Sequence, residues 1–313
     1  MEYPWNKDDL MEAAVDTEKC KVLLKVVELG SMAAAGEELG YTTSGVSRMM
    51  AALEEKAGFS LLYRLHGGVE ATPECERLLQ AFRELDYWSD RWEQTVSEIR
   101  GVQTGDVTVG TSYPAYYPWL ARIIAAFRQA YPGVTVRLLQ GNSAALYQAM
   151  AEHKADFCVV SQREGDFNWI PLAEDPLVAW IPAGHPLAGE PRFPIKALTS
   201  EPYIDTYPGE DSDNSRCLAD QGIRPVSQFT STDTGATYAM VEAGLGISLE
   251  NAMNSGNRRG KVAILPLEPP WTVSIGIIYP KADTLTPAAG RFAAFAQREK
   301  WRKDDERRFD PSV

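Results

Sequence analysis

The spacing of apolar residues divides the chain at about residue 100. Before that point apolar side chains recur every three or four residues, which predicts amphipathic helices. The first such segment covers residues 20–29 and is followed by Gly30, a residue that favours the left-handed conformation at a helix end. A short alanine-rich segment follows at 31–39, and Gly40 interrupts it. Its small side chains should let a neighbouring helix approach closely.

Thr42 lies where a third helix should begin, since its hydroxyl can accept a hydrogen bond from an amide of the first turn. The positions that then recur at helical spacing and point inward are Val46, Met49 or Met50, Leu53 and Ala57. The polar side chains left outside near the helix start are Thr43, Ser44, Ser47 and Arg48. This arrangement indicates a helix-turn-helix whose second helix reads base edges in DNA. An ordinary helical hairpin in an enzyme is the competing interpretation.

A small hairpin is predicted directly after this helix. Tyr63 and Arg64 form one short strand, Val69 lies in the other, and residues 66–68 (His-Gly-Gly) supply the tight turn between them. A hairpin in this place is the wing of a winged helix-turn-helix. His66 adds only weak charge to it, because an unperturbed imidazole is mostly neutral at neutral pH.

The clearest periodic signal lies in residues 78–99, where apolar positions alternate by four and three. This heptad seam consists of Leu78, Phe82, Leu85, Ser89, Trp92, Val96 and Ile99. Such a seam is typical of a helix that pairs with another helix, and helix-turn-helix proteins use dimers to match two half-sites. The alternative is a single helix buried against its own domain. A glycine-containing hinge is expected at 101–105.

From residue 106 short apolar strands alternate with amphipathic helices. Strands are predicted at 107–110, 134–138 and 156–160, and the helices between them begin near Pro118 and at Asn142. This order predicts right-handed crossovers and a parallel sheet. Ligands of such sheets bind beyond the carboxyl ends of the strands, at helix N-termini.

A second α/β lobe is predicted from about residue 163, with strands at 177–181, 203–205 and 226–229 and a helix at 234–243. The chain returns to the first lobe near 266–270, with a strand at 272–279 and a closing helix at 287–301. The predicted division is an arm (1–16), a winged helix-turn-helix (17–73), a linker and dimerisation helix (74–101), a two-lobed domain (102–303; lobe I 105–162 and 268–303, lobe II 163–267) and a charged tail (304–313).

Composition fits a chain of two or three domains with an ample core, at 313 residues and 44% hydrophobic content. No apolar run approaches the roughly 20 residues of a membrane span. The acidic N-terminus has no apolar stretch after it, so we expect a cytoplasmic protein rather than a secreted one. The four cysteines lack paired spacing, which favours free thiols over a disulfide framework or a zinc site. Cys217, in a polar stretch, is the one candidate for redox sensing.

The net charge of −12 argues against a general nucleic-acid binder. Between residues 42 and 72, however, three bases (Arg48, Lys56, Arg64) balance three acids (Glu54, Glu55, Glu70), so the reading segment is neutral. Since phosphate contacts supply most non-specific affinity, we expect few of them per subunit and a dependence on dimerisation.

Catalytic motifs are absent from the sequence: we find no Gly-x-Ser-x-Gly elbow, no phosphate-binding Gly-Lys-Ser loop and no histidine-rich metal cluster. The three histidines have no motif partner, and His185 is interpreted as a turn residue. We therefore predict no catalytic residue, cofactor or metal. The alternative is a cytoplasmic small-molecule-binding protein or enzyme on a two-lobed scaffold, whose helical N-terminus serves only dimerisation. An exported solute-binding protein would need a signal and would have no use for residues 17–100.

Residues 31–72 resemble the winged helix-turn-helix of LysR-type transcriptional regulators. The shared features are Ser31 with its alanines, Leu39, the Val46-Ser47-Arg48 triplet, Leu53-Glu54, Gly58, Leu61 to Arg64, and Thr72. The departures are Leu62 and Gly67 in the wing, Ala71 before Thr72, and Cys75. Gly67 replaces a second basic residue of the family, which removes a phosphate or minor-groove contact and predicts a weaker contribution of the wing to DNA affinity.

The resemblance continues to about residue 300 and implies an α/β protein with an N-terminal winged helix-turn-helix, a linker helix and a two-lobed, periplasmic-binding-protein-like (type II) effector domain. The segments that carry it here are 127–134, 155–157, 185–187 and 241–247. Its implied partners are double-stranded DNA, a small-molecule effector and further copies of the chain in a dimer or tetramer, with no membrane. Its implied DNA-binding residues are Thr42, Thr43, Ser44, Ser47, Arg48, Arg64 and His66.

In that family the effector lies between the two lobes. Carried over by position, the effector-binding candidates are Thr111, Ser112, Asn142, Ser143, Ser161, Tyr203, Asp205, Thr232 and Thr234. Hydroxyl and amide groups at helix starts suit an anionic oxygen such as a carboxylate. An aromatic body could be held by Tyr113, Tyr116, Tyr117 and Trp119. Ser, Thr and Asn also cap helices in any α/β protein, which is the purely structural interpretation of the same residues.

Overall fold

The computed structural model describes residues 15–100, 104–256, 260–281 and 285–298. The chain folds into two compact units, Met1–Val102 and Gln103–Val313. Most of the predicted arm, hinge residues 101–103 and the charged tail lie outside the described residues, as does the closing helix beyond residue 298. Among the helices that are described, none is both long enough and apolar enough to cross a membrane.

The described residues of the first unit, 15–100, form four helices and one hairpin. In chain order they are α1 (Thr17–Leu29), α2 (Met32–Leu39), α3 (Thr43–Ala57), β1 (Leu62–Leu65), β2 (Gly68–Ala71) and α4 (Pro73–Ile99). Gly30 ends α1 with φ 61°, and Gly40 ends α2 with φ 77°. Thr42 Oγ1 accepts a hydrogen bond from the backbone N–H of Gly45 at 3.1 Å. The three helix ends predicted from Gly30, Gly40 and Thr42 are confirmed.

The apolar faces of α1, α2 and α3 meet in one core. Its buried residues include Leu23, Val26, Ala35, Val46, Met50, Leu53, Leu61 and Phe82. Of the two methionines offered by the α3 pattern, Met50 is the buried one. Gly36 of α2 faces the turn so closely that a Cβ there would lie 2.7 Å from the carbonyl oxygen of Tyr41. The same Cβ would lie 3.3 Å from Cγ2 of Val46 on α3, so the expected close approach of a neighbouring helix is confirmed.

The wing is joined to the end of α1 by a backbone contact. β1 and β2 pair antiparallel, with Leu65 opposite Gly68, so the turn contains His66 and Gly67 while Gly68 already lies in the second strand. The N–H of Val69 donates to the carbonyl oxygen of Gly30 at 2.9 Å. A Cβ at Gly68 would lie 2.5 Å from that same oxygen, so this approach requires glycine.

The second unit opens with a parallel α/β lobe. Its elements are β3 (Gly105–Thr111), α5 (Tyr117–Ala130), β4 (Val134–Gln140), α6 (Ser143–Ala151) and β5 (Phe157–Ser161). β3 pairs in parallel with both β4 and β5, as the alternation of strands and helices predicts. Asn142 caps α6 by accepting the N–H of Ala145 at 2.8 Å. The start of α6 therefore lies at the carboxyl end of β4.

The remaining elements build the second lobe and return to the first. They are β6 (Asn168–Pro182), β7 (Phe193–Pro194), β8 (Pro202–Thr206), α7 (Asp213–Asp220), β9 (Val226–Ser231), α8 (Thr234–Glu242), β10 (Ser248–Asn251), β11 (Val262–Glu268), β12 (Thr272–Tyr279) and α9 (Pro287–Arg298). The pattern-based prediction missed α7, β7 and β11. Each is short or has no clean alternation, so periodicity gives a weak signal there.

One long strand passes through both lobes. The sheet order is β4-β3-β5-β12-β6-β11-β7, and β10 also pairs with β6. Residues 168–176 of β6 pair with β12, whereas residues 177–182 pair with β10 and β11. The first half of β6 thus extends the sheet of the first lobe, which moves the change of lobe later than the predicted residue 163.

Candidate functional site

The start of α3 presents a polar outer face in the first unit. Thr43, Ser44 and Arg48 are exposed, and Ser47 is half-buried. Arg48 Nε donates to the carbonyl oxygen of Ser44 at 3.3 Å, so this guanidinium lies along its own helix. Thr42 Oγ1 lies 3.2 Å from Ser44 Oγ. The sequence-predicted reading residues therefore share one face, beside the helix N-terminus.

Glu54 connects the reading helix to the wing. Its Oε1 accepts the backbone N–H groups of Leu61 at 2.8 Å and Leu62 at 3.1 Å. Its Oε2 lies 4.0 Å from Arg64 Nη2, on the first wing strand. This carboxylate is mostly buried and occupied by the protein's own donors, so it adds little repulsion toward a phosphate backbone.

The wing exposes one arginine, one histidine and two large apolar side chains. Arg64 and His66 are exposed, and Tyr63 and Leu65 are about half exposed. Sequence reasoning selected the two basic residues and did not select Tyr63 or Leu65. Alternation along a two-stranded wing cannot show which face is covered, because a hairpin has no second layer of its own.

The long helix α4 has two apolar stripes, and they face different ways. Cys75 and Phe82 are buried in the core of the first unit, and Leu78 packs against it. Ser89 Oγ lies 3.4 Å from Thr17 Oγ1 of α1, and Lys21 pairs with Asp90 at 3.2 Å. Leu78, Phe82 and Ser89 of the predicted seam therefore face the chain's own α1, which corrects their assignment to the outer seam.

The second stripe of α4 is exposed and keeps heptad spacing. Its members, spaced four and three apart, are Ala81, Leu85, Trp88, Trp92, Thr95 and Ile99. Trp92 is 67% exposed and Ile99 is 81% exposed. Trp88, which sequence reasoning did not select, lies in the middle of this stripe, with the Arg91 guanidinium 4.7 Å from its ring. Val96 of the predicted seam is half-buried.

A cleft of about 310 Å³ lies between the lobes of the second unit. Four of the predicted effector residues line it: Ser112, Asn142, Ser143 and Thr234. Ser112 Oγ lies 2.9 Å from Ser143 Oγ, so the end of β3 meets the start of α6. Both were predicted from the rule that ligands bind beyond strand ends, over helix starts.

The other predicted effector residues do not line this cleft. Thr111 and Tyr203 are buried, and Thr111 Oγ1 accepts the N–H of Tyr113. Ser161 is buried, and its N–H donates to Ser143 Oγ at 2.9 Å. Asp205 is half-buried and Thr232 is exposed, both away from the lining. None of these five residues is among those that line the cleft.

Of the four aromatic residues predicted for the effector site, two line the cleft and two do not. Tyr113 and Tyr117 line it, whereas Tyr116 and Trp119 do not. Tyr113 belongs with Tyr116 and Trp119 to the main buried core of the unit, so little of its ring is exposed in the cleft. Tyr207 also lines the cleft and has φ 64°, an uncommon value for a residue with a Cβ. It was not predicted, because it lies in a loop with no periodic pattern.

Several polar groups at the cleft were missed because their segments are distant in sequence. Beyond Tyr207, the charged or amide-bearing ones include Arg163, Asp213, Asp233, Glu250 and Asn251. Asp213 is the first residue of α7, the helix that the pattern did not predict. The available signal was Ser212 followed three residues later by Ser215, which forms a reciprocal cap at the start of α7.

Several polar contacts join segments on opposite sides of the cleft. Tyr113 Oη donates to Asp213 Oδ2 at 2.7 Å. Asn142 Nδ2 donates to Glu210, and Arg163 pairs with Asp211. Burial, followed by the charge of Asp213, raises the pKa of Tyr113 well above its usual value, so the phenol remains a donor at all physiological pH.

All four cysteines are buried. Burial raises the pKa of Cys217 to about 12, which disfavours the reactive thiolate. The polar surroundings that suggested a redox role are only the exposed face of α7, since Cys217 lies on its buried face. In the part of the chain that the structure describes, no cluster of three or more His, Cys, Asp or Glu side chains could hold a metal ion.

Comparison with known proteins gives matches across almost the whole chain. Residues 17–76 match the model of the bacterial regulatory helix-turn-helix protein, lysR family, and residues 100–301 match the LysR substrate binding domain. The HTH-type transcriptional regulator CfxR of Cupriavidus necator is 27% identical over 297 residues, covering 90% of this chain and 91% of that protein.

Solved structures show the same architecture. A variant of full-length OxyR from Pseudomonas aeruginosa has a TM-score of 0.66 at 16% identity, covering 91% of this chain and 94% of its own. Full-length CbnR in complex with its target DNA has a TM-score of 0.60 at 21% identity, covering 91% of this chain and 100% of its own. At these identities the likeness concerns the fold.

Proposed function

The chain belongs to the LysR family of transcriptional regulators, and from that premise we propose how it binds DNA, pairs with a second copy and takes its effector. It is a regulator with a helix-turn-helix and a substrate-binding domain, in a family of regulators rather than enzymes. We place its action in the cytoplasm, where its DNA target is accessible.

The N-terminal face of α3 enters the major groove of double-stranded DNA. Thr43, Ser44, Ser47 and Arg48 meet base edges, and the Thr42 end of the helix contacts phosphate. Among these residues Arg48 has the longest side chain that carries hydrogen-bond donors. To reach a base it gives up only one exposed hydrogen bond, to the carbonyl oxygen of Ser44. Its guanidinium suits the O6 and N7 acceptors of guanine.

The wing supplies contacts to the sugar-phosphate backbone through Arg64 and His66. The second wing base of the family is replaced by Gly67, so fewer phosphates are neutralised per subunit. The binding free energy must then come from more than one subunit on the same duplex.

The exposed stripe of α4 supplies that second subunit. Trp88 and Trp92 are large apolar side chains left exposed on a helix with heptad spacing, which is typical of a pairing surface. We assign the dimer seam to Leu85, Trp92 and Ile99 from the predicted set, with Trp88 added, while Leu78, Phe82 and Ser89 stabilise the monomer. Two α3 helices carried by such a pair can meet two half-sites of one duplex. The same pairing is compatible with a tetramer built from two dimers.

A small-molecule effector binds in the cleft of the second unit, touching Ser112, Asn142, Ser143 and Thr234. Because the cleft lies between two lobes that share the long strand β6, a bound molecule can favour one arrangement of the lobes over another. It shifts that equilibrium only by its differential affinity for the two arrangements.

The observation that carries this function is the capped, polar face of α3 in a chain that matches LysR models over both of its units. A mobility-shift assay with the intergenic DNA upstream of the protein's own gene tests it. We expect salt-sensitive binding without added substrate, and little binding to a shuffled duplex of equal length. Equal affinity for both duplexes, or none at low ionic strength, would contradict the proposal.

A further inference from the structure

Three neighbouring parallel strands of the first lobe are each followed by a side chain that donates hydrogen bonds. Two residues beyond the ends of β3, β4 and β5 lie Tyr113, Asn142 and Arg163, here called the strand-end donors. The strand order β4-β3-β5 places them beside one another at one edge of the sheet. Ligands of parallel sheets bind at this edge. A phenol, an amide and a guanidinium together suit a carboxylate.

The strand-end donors already hold carboxylates, which come from one short segment of the opposite lobe. This acidic segment consists of residues 210–213. Asn142 Nδ2 donates to Glu210, and Arg163 Nη1 donates to Asp211. Arg163 Nη2 also donates to the carbonyl oxygen of Asp211 at 2.7 Å. The chain's own acids therefore occupy the position where a carboxylate ligand of the first lobe would bind.

Arg163 requires a negative charge beside it. Its side chain is only 9% exposed, and its Nε is buried without a hydrogen-bond partner. A buried guanidinium that loses its anion is strongly destabilising. The backbone N–H of Arg163 donates to Tyr147 Oη at 3.1 Å, within the first lobe. This donor therefore stays in place when the acidic segment moves, and it needs a replacement for the carboxylate of Asp211.

The acids of the segment differ in how easily they can leave. The Asp211 side chain is 57% exposed, and Glu210 is also exposed. Contacts of exposed carboxylates contribute little to stability, because water solvates the separated charges well. Asp213 is only 10% exposed, lies 3.8 Å from Arg163 Nη2, and accepts the Tyr113 hydroxyl at 2.7 Å. A ligand carboxylate that replaces Asp211 leaves the Asp213 contacts intact and the charge beside Arg163 unchanged.

The acidic segment belongs to the loop between β8 and α7. Within this loop the N–H of Glu210 donates to the carbonyl oxygen of Tyr207 at 3.2 Å, and the N–H of Ser212 donates to that of Glu210 at 3.0 Å. These are turn hydrogen bonds inside the loop, so the side-chain contacts with the first lobe help to fix it. Release of Glu210 and Asp211 should raise the mobility of the loop, while α7 keeps its own reciprocal cap.

We propose that the acidic segment is a built-in competitor of the effector, and that the effector is a small carboxylate that displaces Glu210 and Asp211 from their donors. The proposal rests on the function proposed above and deepens it. Without effector, these contacts hold the two lobes in the arrangement described here. With effector bound, the lobes lose them, and the equilibrium between lobe arrangements shifts.

The first test measures the charge that the cleft prefers. Calorimetric titration of the full chain compares acetate, succinate and benzoate with acetamide, succinamide and benzamide, which have similar shapes and no charge. We expect at least one acid to bind, and to bind more tightly than its amide. Failure of every acid at millimolar concentration, or equal binding of each acid and its amide, overturns the proposal.

Matched variants distinguish competition from simple repulsion between charges. Asp211→Asn should tighten carboxylate binding by about two- to fivefold, the range expected for loss of an exposed ion pair. Asp233→Asn is the control, because Asp233 lines the same cleft while its Oδ1 caps α8 by accepting the N–H of Ala236. An asparagine can still make this cap. Equal tightening in both variants, or none in Asp211→Asn, would contradict competition.

Arg163→Gln tests the donor itself. It should weaken carboxylate binding by about tenfold or more, the loss expected for a charge-assisted hydrogen bond. Unchanged binding, with far-UV circular dichroism like wild type, would place the carboxylate elsewhere and overturn the assignment.

Hydrogen exchange of the wild-type chain needs no variant to fold. Saturation with the acid that binds should speed exchange of the amides of residues 210–213, because the loop has left the first lobe. A ligand that merely fills the cleft would slow exchange there, and slower or unchanged exchange contradicts displacement.

A parallel DNA mobility shift separates this inference from the proposed function. A chain that binds its upstream DNA yet shows no displacement by carboxylates retains the regulator function and loses the competitor. A chain whose acidic segment is displaced but that binds no DNA has the opposite result.

Discussion

Glu54 Oε1 accepts the backbone N–H of Leu61 at 2.8 Å, and this hydrogen bond fixes the start of the wing to the reading helix. A second N–H, from Leu62, reaches the same oxygen. In the sequence Glu54 is one of three acids that oppose DNA binding. In the fold its carboxylate holds the two DNA-facing elements together.

Replacing Glu54 by alanine should lower the free energy of unfolding of the first unit. Two backbone N–H groups would lose a charged acceptor, which costs on the order of 1.5–3 kcal/mol. Urea unfolding measures the loss, and DNA affinity should fall with it because the wing is no longer fixed. Glu55→Ala, on the exposed side of the same helix, is the matched control and should change neither quantity by more than about 0.5 kcal/mol.

Arg48→Ala should weaken specific DNA binding by about 1–3 kcal/mol if the guanidinium meets a guanine edge. Binding to random DNA should change much less, since a base contact is lost rather than a phosphate contact. Fluorescence anisotropy with the operator and a shuffled duplex measures both. Equal losses on the two duplexes would show that Arg48 contacts only phosphate.

Trp92→Ala should weaken self-association by about 2–4 kcal/mol, because a large exposed aromatic at the centre of the stripe is expected to be an anchor of the interface. Trp88→Ala should act in the same direction. Sedimentation equilibrium over a range of protein concentrations measures the dimer constant.

The Trp88→Ala variant also distinguishes the predicted pairing seam from the exposed stripe that contains Trp88. If pairing uses the predicted set that includes Phe82 and Ser89, the Trp88→Ala variant should dimerise like wild type. Glu93→Ala, on an exposed flank of the helix, is the control for a surface change without an anchor. Unaltered association in both tryptophan variants would exclude α4 as the pairing surface.

Asp175→Asn should make the protein more stable than wild type at neutral pH and not at acid pH. The pKa of Asp175 is raised to about 7, first by burial, against about 3.9 in an unfolded chain. Below pH 4 the carboxyl is protonated in both states, so ionisation costs the folded state nothing. Between pH 4 and 7 the Asp175 carboxyl ionises in the unfolded chain before it ionises in the folded protein. The contribution of Asp175 to stability therefore falls as pH rises.

Since asparagine cannot ionise and its amide oxygen can still accept the Met253 N–H, the difference in free energy of unfolding should grow across this window. The growth should be on the order of a few kcal/mol and level off above pH 7. Urea titrations at pH 4 to 8 measure it, with Glu190→Gln, which removes an exposed carboxylate of the same unit, as the reference. If the difference in free energy of unfolding does not change with pH, the pKa of Asp175 is not raised in the folded protein.

Local features of the fold could be predicted because neighbouring residues decide them. Gly30, Gly40 and Thr42 set helix ends through their own backbone preferences and hydroxyl reach. The parallel first lobe followed from alternating strand and helix patterns. α7 was missed because its eight residues have a buried face of only a few side chains, too few for a periodic signal.

The heptad spacing of α4 shows that periodicity alone cannot decide which face of a helix packs against its own domain. A 27-residue helix with apolar groups on two faces offers two stripes of equal spacing, and nothing along the sequence says which one meets α1. The contacts of Phe82 with the core and of Ser89 with Thr17 decide it. The stripe with Trp88 and Trp92 is then the one left exposed.

The sequence by itself determined several helix caps, the alternating strands and helices of the first lobe and the polar residues at the start of the reading helix, because these depend on interactions within a few residues. The set of residues that line the cleft depended on the tertiary structure. Asp213 and Glu250 lie far from Ser112 and Asn142 along the chain, and only the crossing of β6 between the lobes brings them to one cavity. Residues that are distant in sequence become neighbours only through packing, so the full lining of the cleft could not be derived from patterns within a few residues.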